Sequence, residues 1–346
     1  MPYVMVQIPR TPVPPAPRPV PTSADVARLA GVSRATVSYV LNNTSAVRIS
    51  EPTRRRVHDA ARELGYVPHA AARSLRAGHS RMVLMPSPTV AAGPLYSQFV
   101  HDLQQSLSHL GYTVVQYGAS GLRGQEAVRA WAELRPVAVL VPGTGISAEG
   151  VAVLKRAGAK AVVALAAGHV PGAHTLILDH TDVGRLAARH LYERGRRRIG
   201  VVVPVERGMD MFSTPRLAGV RAELAGTDAG VTELRMAHTE ESAAELAARW
   251  PDFGLDGVFA YNDEYALPLL RALQDTGVRV PEDVSLVGAD DLLIARLSRP
   301  RLTSVAIRLP GGPALADLVD RAVHAPGTEA EYADAIQVTL VARESS

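Results

Sequence analysis

The chain is 346 residues long, 47% hydrophobic and 21% charged, and contains no cysteine. At about 100–200 residues per domain that length allows two or three domains with ample core; the missing cysteines exclude disulfides, thiol nucleophiles and cysteine-ligated zinc or iron–sulfur centres. No apolar run reaches the roughly 18 residues a membrane span needs, and the N-terminus lacks the apolar stretch of a signal peptide, so the expected location is the cytoplasm.

The net charge of +3 conceals an asymmetry. Residues 1–80 hold 11 arginines against four acidic residues, whereas residues 81–346 hold 26 Lys and Arg against 30 Asp and Glu. A basic N-terminal quarter on a mildly acidic remainder points to an anionic partner for one end only.

In chain order, residues 1–21 are a proline-rich tail, with a proline density that no helix or central strand survives. Three short helices are predicted across 22–66. Thr22 with Asp25 three residues later reads as a helix start close to a capping box, with Val26, Ala27, Leu29 and Ala30 as its apolar side and Gly31 as the turn. Ser33 caps a second helix whose Val37, Val40 and Leu41 share a face. Ser50, Glu51 and Pro52 open a third, with Val57, Ala60, Ala61 and Leu64 inward and Gly65 at its end. Residues 67–80 form a bridge, helix-friendly but too short to hold its shape alone in water.

From residue 81 apolar runs alternate with amphipathic stretches. Strands are predicted at 82–86, 112–117, 137–141, 161–165, 175–179, 198–204, 232–237, 257–261, 284–289 and 335–341. Helices are predicted at 97–110, 124–134, 147–157, 182–194, 215–225, 240–249, 263–276 and 312–324. Such alternation makes parallel sheets covered by helices on both faces. Roughly 260 residues exceed one typical core, so two doubly wound lobes are expected.

The spacing of Ala27, Gly31 and Val37 is that of a helix-turn-helix. Two helices crossing steeply need a small residue where the second leans on the first, a residue tolerant of positive φ in the turn, and an apolar residue closing the core. With the local basic charge, this predicts DNA binding.

The run Asp25–Asn42 resembles the headpiece of the lactose-repressor (LacI/GalR) family of transcription regulators, as do Glu63–Pro68 and Ala72-Arg73-Ser74-Leu75-Arg76. Arg216–Gly219, Ala260–Glu264, Val280–Asp291 and Leu302–Val305 then follow in family order, so the resemblance spans about residues 22–344. It implies a small all-α helix-turn-helix headpiece on an α/β periplasmic-binding-protein-like core. The domains expected are the tail 1–21, the headpiece 22–66, a hinge helix at 67–80 and an effector-binding and dimerisation core at 81–344. Within that core the N-lobe is placed at about 81–179 plus 304–328, and the C-lobe at about 180–303 plus 329–344.

The resemblance also implies roles. The second helix enters the major groove of a palindromic operator, where Arg34, Ala35 and Tyr39 match the family's variable base-reading positions. Arg34 can donate two parallel hydrogen bonds to guanine, and Ala35 offers an apolar surface to a thymine methyl. Thr22, Ser33, Thr36 and Ser38 are candidate phosphate binders, and Arg54–Arg56 can add contacts. In the hinge, Ala72, Leu75 and Arg76 match, and Leu75 corresponds to the leucine wedged into the minor groove at the centre of the site. Arg216, Asn262 and Asp290 match effector-binding positions near the carboxyl ends of strands, where ligands bind in such sheets. An arginine, an amide and a carboxylate suit hydroxyls or small polar metabolites.

One motif departs from the pattern: the usual Asn-Pro-Phe-Phe after the first strand stands here as Gly93-Pro94-Leu95-Tyr96. Aromatic stacking for a sugar ring is thinly supplied, with Tyr96 and Phe212 the nearest candidates, so an ordinary hexose is not the favoured ligand. The expected function is a repressor whose operator affinity is set by a small polar metabolite, of the sugar class or derived from it. It is expected to act as a homodimer on the nucleoid; no long heptad run announces a coiled-coil tetramer.

An enzyme is the main competing class. No Gly-x-x-x-x-Gly-Lys loop, Gly-x-Ser-x-Gly elbow or His-Glu-x-x-His pair is present, and Gly143-Thr144-Gly145 falls short of a dinucleotide fingerprint. The histidines, among them His169, His174 and His180, lack ligand spacing and read as solvated loop residues. No catalytic residue, metal or cofactor is expected. A transport protein of the same core would lack the headpiece, although a sugar-binding or sugar-processing role without gene regulation is the alternative.

Overall fold

The computed structural model describes residues 20–41, 48–67, 80–87, 93–118, 121–142 and 145–346. They fall into two compact units, one within residues 1–78 and one within 79–346. Most of the proline-rich tail, and Ala72, Leu75 and Arg76 of the expected hinge, lie outside the described residues.

The first unit is three helices: α1 (Ser23–Ala30), α2 (Arg34–Leu41) and α3 (Glu51–Leu64). Thr22 and Asp25 close a reciprocal capping box, Asp25 Oδ2 accepting the Thr22 N–H at 2.9 Å. Gly31, at φ 65°, reverses the chain so that the Val32 N–H reaches the Ala27 carbonyl at 3.0 Å. Ser33 Oγ accepts the Thr36 N–H at 3.0 Å and starts α2. The core is Val26, Ala27, Ala30, Val37, Val40, Val57, Ala60 and Ala61. Leu29, expected on the inner face, is 47% exposed: alanines and valines already fill so small a bundle, and Leu29 is left on its flank. Ser50 precedes α3 but makes no side-chain cap; its hydroxyl meets that of Thr53 instead.

The second unit holds two six-stranded sheets. In the N-lobe are β1 (Met82–Pro86), β2 (Thr113–Tyr117), β3 (Ala138–Pro142), β4 (Ala161–Ala166) and β5 (His174–Ile177). The C-lobe has β6 (Arg198–Pro204), β7 (Gly230–Met236), β8 (Gly257–Phe259), β9 (Ser285–Ala289) and β10 (Thr303–Arg308). The chain then returns to the N-lobe for β11 (Tyr332–Asp334) and ends in the C-lobe with β12 (Gln337–Val341). The sheet orders are β11-β5-β4-β3-β1-β2 and β12-β10-β9-β8-β6-β7. Every pairing is parallel except β10 with β12.

Strands buried on both faces send alternate residues to opposite cores. In β3, Ala138 and Leu140 join one cluster while Val139 and Val141 join the other. In β6, Val202 faces away from Ile199, Val201 and Val203. Helices α4 (Pro94–His109), α5 (Gly124–Glu133), α6 (Ala148–Arg156) and α13 (Gly312–His324) cover the N-lobe sheet. The C-lobe sheet is covered by α7 (Thr181–Glu193), α8 (Asp210–Leu224), α9 (Glu240–Ala248), α10 (Trp250–Phe253) and α11 (Asp263–Asp275), with α12 (Leu293–Leu297) at its end.

Three sequence expectations need correction. Residues 303–308 form a central strand of the C-lobe, not part of the N-lobe. Thr303 and Ser304 disguised it: both are fully buried, and each hydroxyl is satisfied, Thr303 accepting the Arg343 N–H and Ser304 donating to Asp263. Conversely, residues 332–334 pair with β5 in the N-lobe rather than lying in the C-lobe. β11 is a short, exposed edge strand with no apolar pattern to betray it. Finally, α8 begins at Asp210 and not at 215, because Pro215 sits inside the helix instead of opening it.

α7 and α8 cross at two glycines. A Cβ on Gly184 would run into the carbonyl of Arg216, and one on Gly219 into the carbonyl of Thr181. Each helix therefore packs backbone to backbone on its neighbour, a distance only glycine permits. This crossing sets Arg216 beside His180, the residue before α7.

Candidate functional site

Two surfaces carry the expected chemistry, one in each unit. In the first, α2 presents Arg34 and Ala35 exposed at its N-terminal end, with Tyr39 also exposed one turn on. Arg34 makes no ion pair among the described residues, whereas Arg28 and Arg62 are tied to Asp25 and Asp59. Thr22 and Ser33 are exposed at the N-termini of α1 and α2, Thr36 is half-buried in the first turn of α2, and Ser38 is half-buried in the middle of that helix. Helix N-termini attract phosphate oxygens, although Thr22 and Ser33 are also spent on capping. Arg54 to Arg56 lie on α3, Arg55 and Arg56 exposed.

In the second unit, a cavity of about 1120 Å³ opens between the lobes. It brings together all four expected effector residues: Tyr96 from α4 of the N-lobe, and Arg216, Asn262 and Asp290 from the C-lobe. Arg216, 4% exposed, is held from three sides. Its Nη1 donates to the Tyr261 carbonyl at 2.7 Å and its Nη2 to His180 Nδ1 at 3.2 Å. The guanidinium also lies 4.6 Å from the centre of the Tyr261 ring, and Nη2 stands 3.6 Å from Asp290 Oδ1.

Asn262 caps α11 by accepting the Tyr265 N–H at 3.1 Å, and its Nδ2 donates to Asp290 Oδ2 at 3.2 Å. Asp290 has φ 91°, and Tyr261 and Asp291 are also left-handed. Such backbone is costly for residues with a Cβ; two of the three, Tyr261 and Asp290, line the cavity, while Asp291 pairs with Arg343 and Arg296. Two buried polar atoms in this group have no hydrogen-bond partner: Arg216 Nε and Asp290 Oδ1. An orphan donor beside an orphan acceptor is what a hydroxyl-bearing ligand would satisfy.

Sequence reasoning missed several lining residues. His180 and His174, expected in solvent, are both buried. His174 lies in β5 with its Nδ1 accepting the Glu331 N–H, and His180 faces Arg216 with the Phe212 ring edge-on at 5.0 Å. Burial, with the Arg216 charge, pushes the His180 imidazole well below its ordinary range, so it stays neutral and its bare Nδ1 accepts from Arg216. The aromatic supply is also richer than expected: Phe99, Trp131, Tyr261 and Tyr265 join Tyr96 and Phe212 in the lining. Sequence counts could not show that a small total was concentrated here. Glu206 was missed too; it accepts the His238 N–H at 2.7 Å and the Tyr265 hydroxyl at 2.5 Å. Burial alone would raise its carboxyl, but those two bonds hold it below the ordinary range.

Behind the site Asp263 is fully buried, accepting from Ser304 Oγ and the Leu292 N–H, each at 2.7 Å. Burial pushes its carboxyl up to about 7. The folded chain therefore holds this proton where the unfolded chain has lost it, and stability present at low pH is lost as pH rises through 7. His180 acts with opposite sign, since the unfolded chain gains its proton first as pH falls below 6.5. Asp263→Asn should remove the loss between pH 5 and 8, on the order of 3 kcal/mol, and leave the acid-side loss in place. Denaturant titrations across that range check it; an unchanged profile in the variant would assign the dependence elsewhere.

Among the described residues there is no cluster suited to a metal ion, and no helix is long and apolar enough to cross a membrane.

Comparison with known proteins agrees with these geometries. The profile of bacterial regulatory proteins of the lacI family matches residues 22–69, and that of the periplasmic binding protein-like domain matches residues 188–346. The HTH-type transcriptional repressor PurR of Vibrio atlanticus is 31% identical over 293 residues, covering 82% of this chain and 86% of the relative. A solved complex of the transcriptional regulator CelR with cellobiose is 30% identical, with a TM-score of 0.62 over 94% of this chain and 100% of that one. The lac repressor dimer bound to operator and the anti-inducer ONPF is 24% identical with a TM-score of 0.77, covering 94% and 99%, and shares the fold. The chain thus belongs to the lacI family of bacterial regulatory proteins, and is a DNA-binding transcriptional repressor with a small-molecule effector domain rather than an enzyme.

Proposed function

We propose that this repressor acts as a cytoplasmic homodimer on a palindromic operator, and that a polyhydroxylated, sugar-class metabolite bound in the inter-lobe cavity changes its operator affinity. The observation that carries the effector half is one cavity lined by Arg216, Asn262 and Asp290, in which two buried atoms of that set, Arg216 Nε and Asp290 Oδ1, lack hydrogen-bond partners. One hydroxyl can accept from the first and another donate to the second, with Asn262 holding the carboxylate and Tyr96 and Phe212 bounding the ring. The relatives bound to cellobiose and to ONPF carry ligands consistent with that chemistry. Coupling between two distinct sites is then allosteric in the thermodynamic sense.

On DNA, Arg34, Ala35 and Tyr39 read base edges, while Thr22, Ser33, Thr36 and Ser38 position the headpiece on phosphates. Ala72, Leu75 and Arg76 serve the minor groove, with Leu75 as the wedge. Arg34→Ala should lose about 1–3 kcal/mol on the cognate operator and much less on random DNA. Gel-shift titrations on both at fixed salt test this; equal losses on the two would make Arg34 a phosphate contact. The function as a whole is tested by titrating sugars into the operator complex and following its dissociation or tightening.

A further inference from the structure

We propose that the effector carries a protonated amine as well as hydroxyls, as an amino sugar does, and that the amine sits between Glu206 and Glu264 beside Tyr265. This rests on the reading of the inter-lobe cavity as the effector site.

The cavity is lined by more acidic charge than its buried basic groups answer. Among the lining residues set back from solvent, three are carboxylates, Glu206, Glu264 and Asp290, and one is a guanidinium, Arg216. Arg123 and Arg207 also line the space, but both are exposed, and neither makes an ion pair among the described residues. Arg216 answers only Asp290. Glu206 accepts from two neutral donors, the His238 backbone N–H and the Tyr265 hydroxyl, and the His238 imidazole in the same lining is the one other group that acts on its charge. Glu264 makes no ion pair among the described residues. Anions kept partly from water without a counter-charge are costly, and a bound cation relieves them.

A second observation concerns how Glu264 reaches the cavity. Its Oε2 lies 2.9 Å from where a Cβ on Gly93 would stand. Gly93 opens α4 on the opposite lobe, so the carboxylate extends from α11 across the cleft to a place that a side chain at 93 would make it leave. Any side chain at 93 would push it away. The residue that departs from the expected motif is thus the one that admits an extra carboxylate.

A third observation sets the remaining ligand chemistry. Arg216, 4% exposed, has its Nε unpartnered, and Asp290 Oδ1 lacks a donor. A ligand must offer an acceptor to the first and a donor to the second, which hydroxyls do, and a cation to the two glutamates, which they cannot. Tyr265 lies with its hydroxyl on Glu206 and its ring held between His238, stacked at 5.0 Å, and Tyr261, edge-to-face at 5.2 Å, which fixes the Glu206 carboxylate in place.

The test is calorimetric titration of the full chain with three matched pairs, D-glucosamine and D-glucose, D-galactosamine and D-galactose, D-mannosamine and D-mannose, with N-acetyl-D-glucosamine as a neutral control. At a pH where the amines are charged, at least one amino sugar should bind about tenfold or more tightly than its neutral partner. Glu264→Gln should bring that ratio to near one, and Glu206→Gln should lower it, which guards against one variant failing to fold. A neutral partner that binds as tightly, a ratio untouched in both variants, or no binding by any amino sugar overturns the proposal. Binding by neutral sugars alone does so while leaving the cavity's role as effector site intact.

Discussion

Gly219→Ala is expected to cost about 3 kcal/mol or more and to abolish effector binding together with the native C-lobe. The added methyl points into the backbone carbonyl of Thr181, where no rotamer change can relieve it, so α7 and α8 must separate. Separation withdraws His180 from Arg216 and opens the cluster of Val183, Ala187, Leu217 and Val220 beneath the crossing. Gly184→Ala meets the carbonyl of Arg216 and should behave alike. Gly230→Ala is the control, because its Cβ would meet nothing within 4 Å and its φ is not left-handed. Trp250 lies in the C-lobe core and Trp131 in the N-lobe, so unfolding followed by tryptophan fluorescence in a Trp131→Phe background reports the affected lobe. A Gly219→Ala protein as stable as Gly230→Ala would show that the helices can part at no cost.

Arg216→Met should abolish the effector response while leaving operator binding near the parent level. Methionine preserves much of the apolar stem but removes every donor, leaving Asp290 with the neutral Asn262 amide alone and the Tyr261 carbonyl without its partner. A buried carboxylate stripped of its counter-charge costs about 3–5 kcal/mol, part of it paid in stability and part in lost ligand affinity. The expected affinity loss is about 100-fold or more. Arg216→Lys keeps the charge but not the fork that spans Tyr261 and His180, and should lose nearly as much. Operator gel shifts with and without effector separate the two functions. An effector response preserved in both variants would remove Arg216 from the site.

Much of this was legible in the sequence because it rests on local rules. The capping box of Thr22 and Asp25, the left-handed Gly31 and Gly65, and the alternating strands that feed two cores are each encoded within a few residues. Arg216, Asn262 and Asp290 were singled out by strand ends and an ordered set of family motifs, Tyr96 by the scarcity of aromatics, and all four line one cavity. What stayed hidden depends on partners far along the chain. β10 was obscured by Thr303 and Ser304, whose hydroxyls are buried only because Arg343 and Asp263 satisfy them. The exposed trio of β11 has no pattern at all and is a strand because β5 offers it a free edge. His180 reads as a loop histidine until the glycine crossing of α7 and α8 brings Arg216 against it.

The division of charge had the same two layers. The sequence by itself determined that the net positive charge lies in the N-terminal quarter that carries the helix-turn-helix and that the remainder is a two-lobed, mildly acidic α/β core, since net charge, periodicity and caps are properties of neighbouring residues. Only the tertiary structure decided where the acidic excess matters. It folds Glu206, Glu264 and Asp290 toward one cavity with a single buried arginine, and it leaves Gly93 small enough for Glu264 to enter. Those residues stand up to 197 positions apart, between Gly93 and Asp290. Their chemistry is set by burial and mutual distance, which no local pattern records.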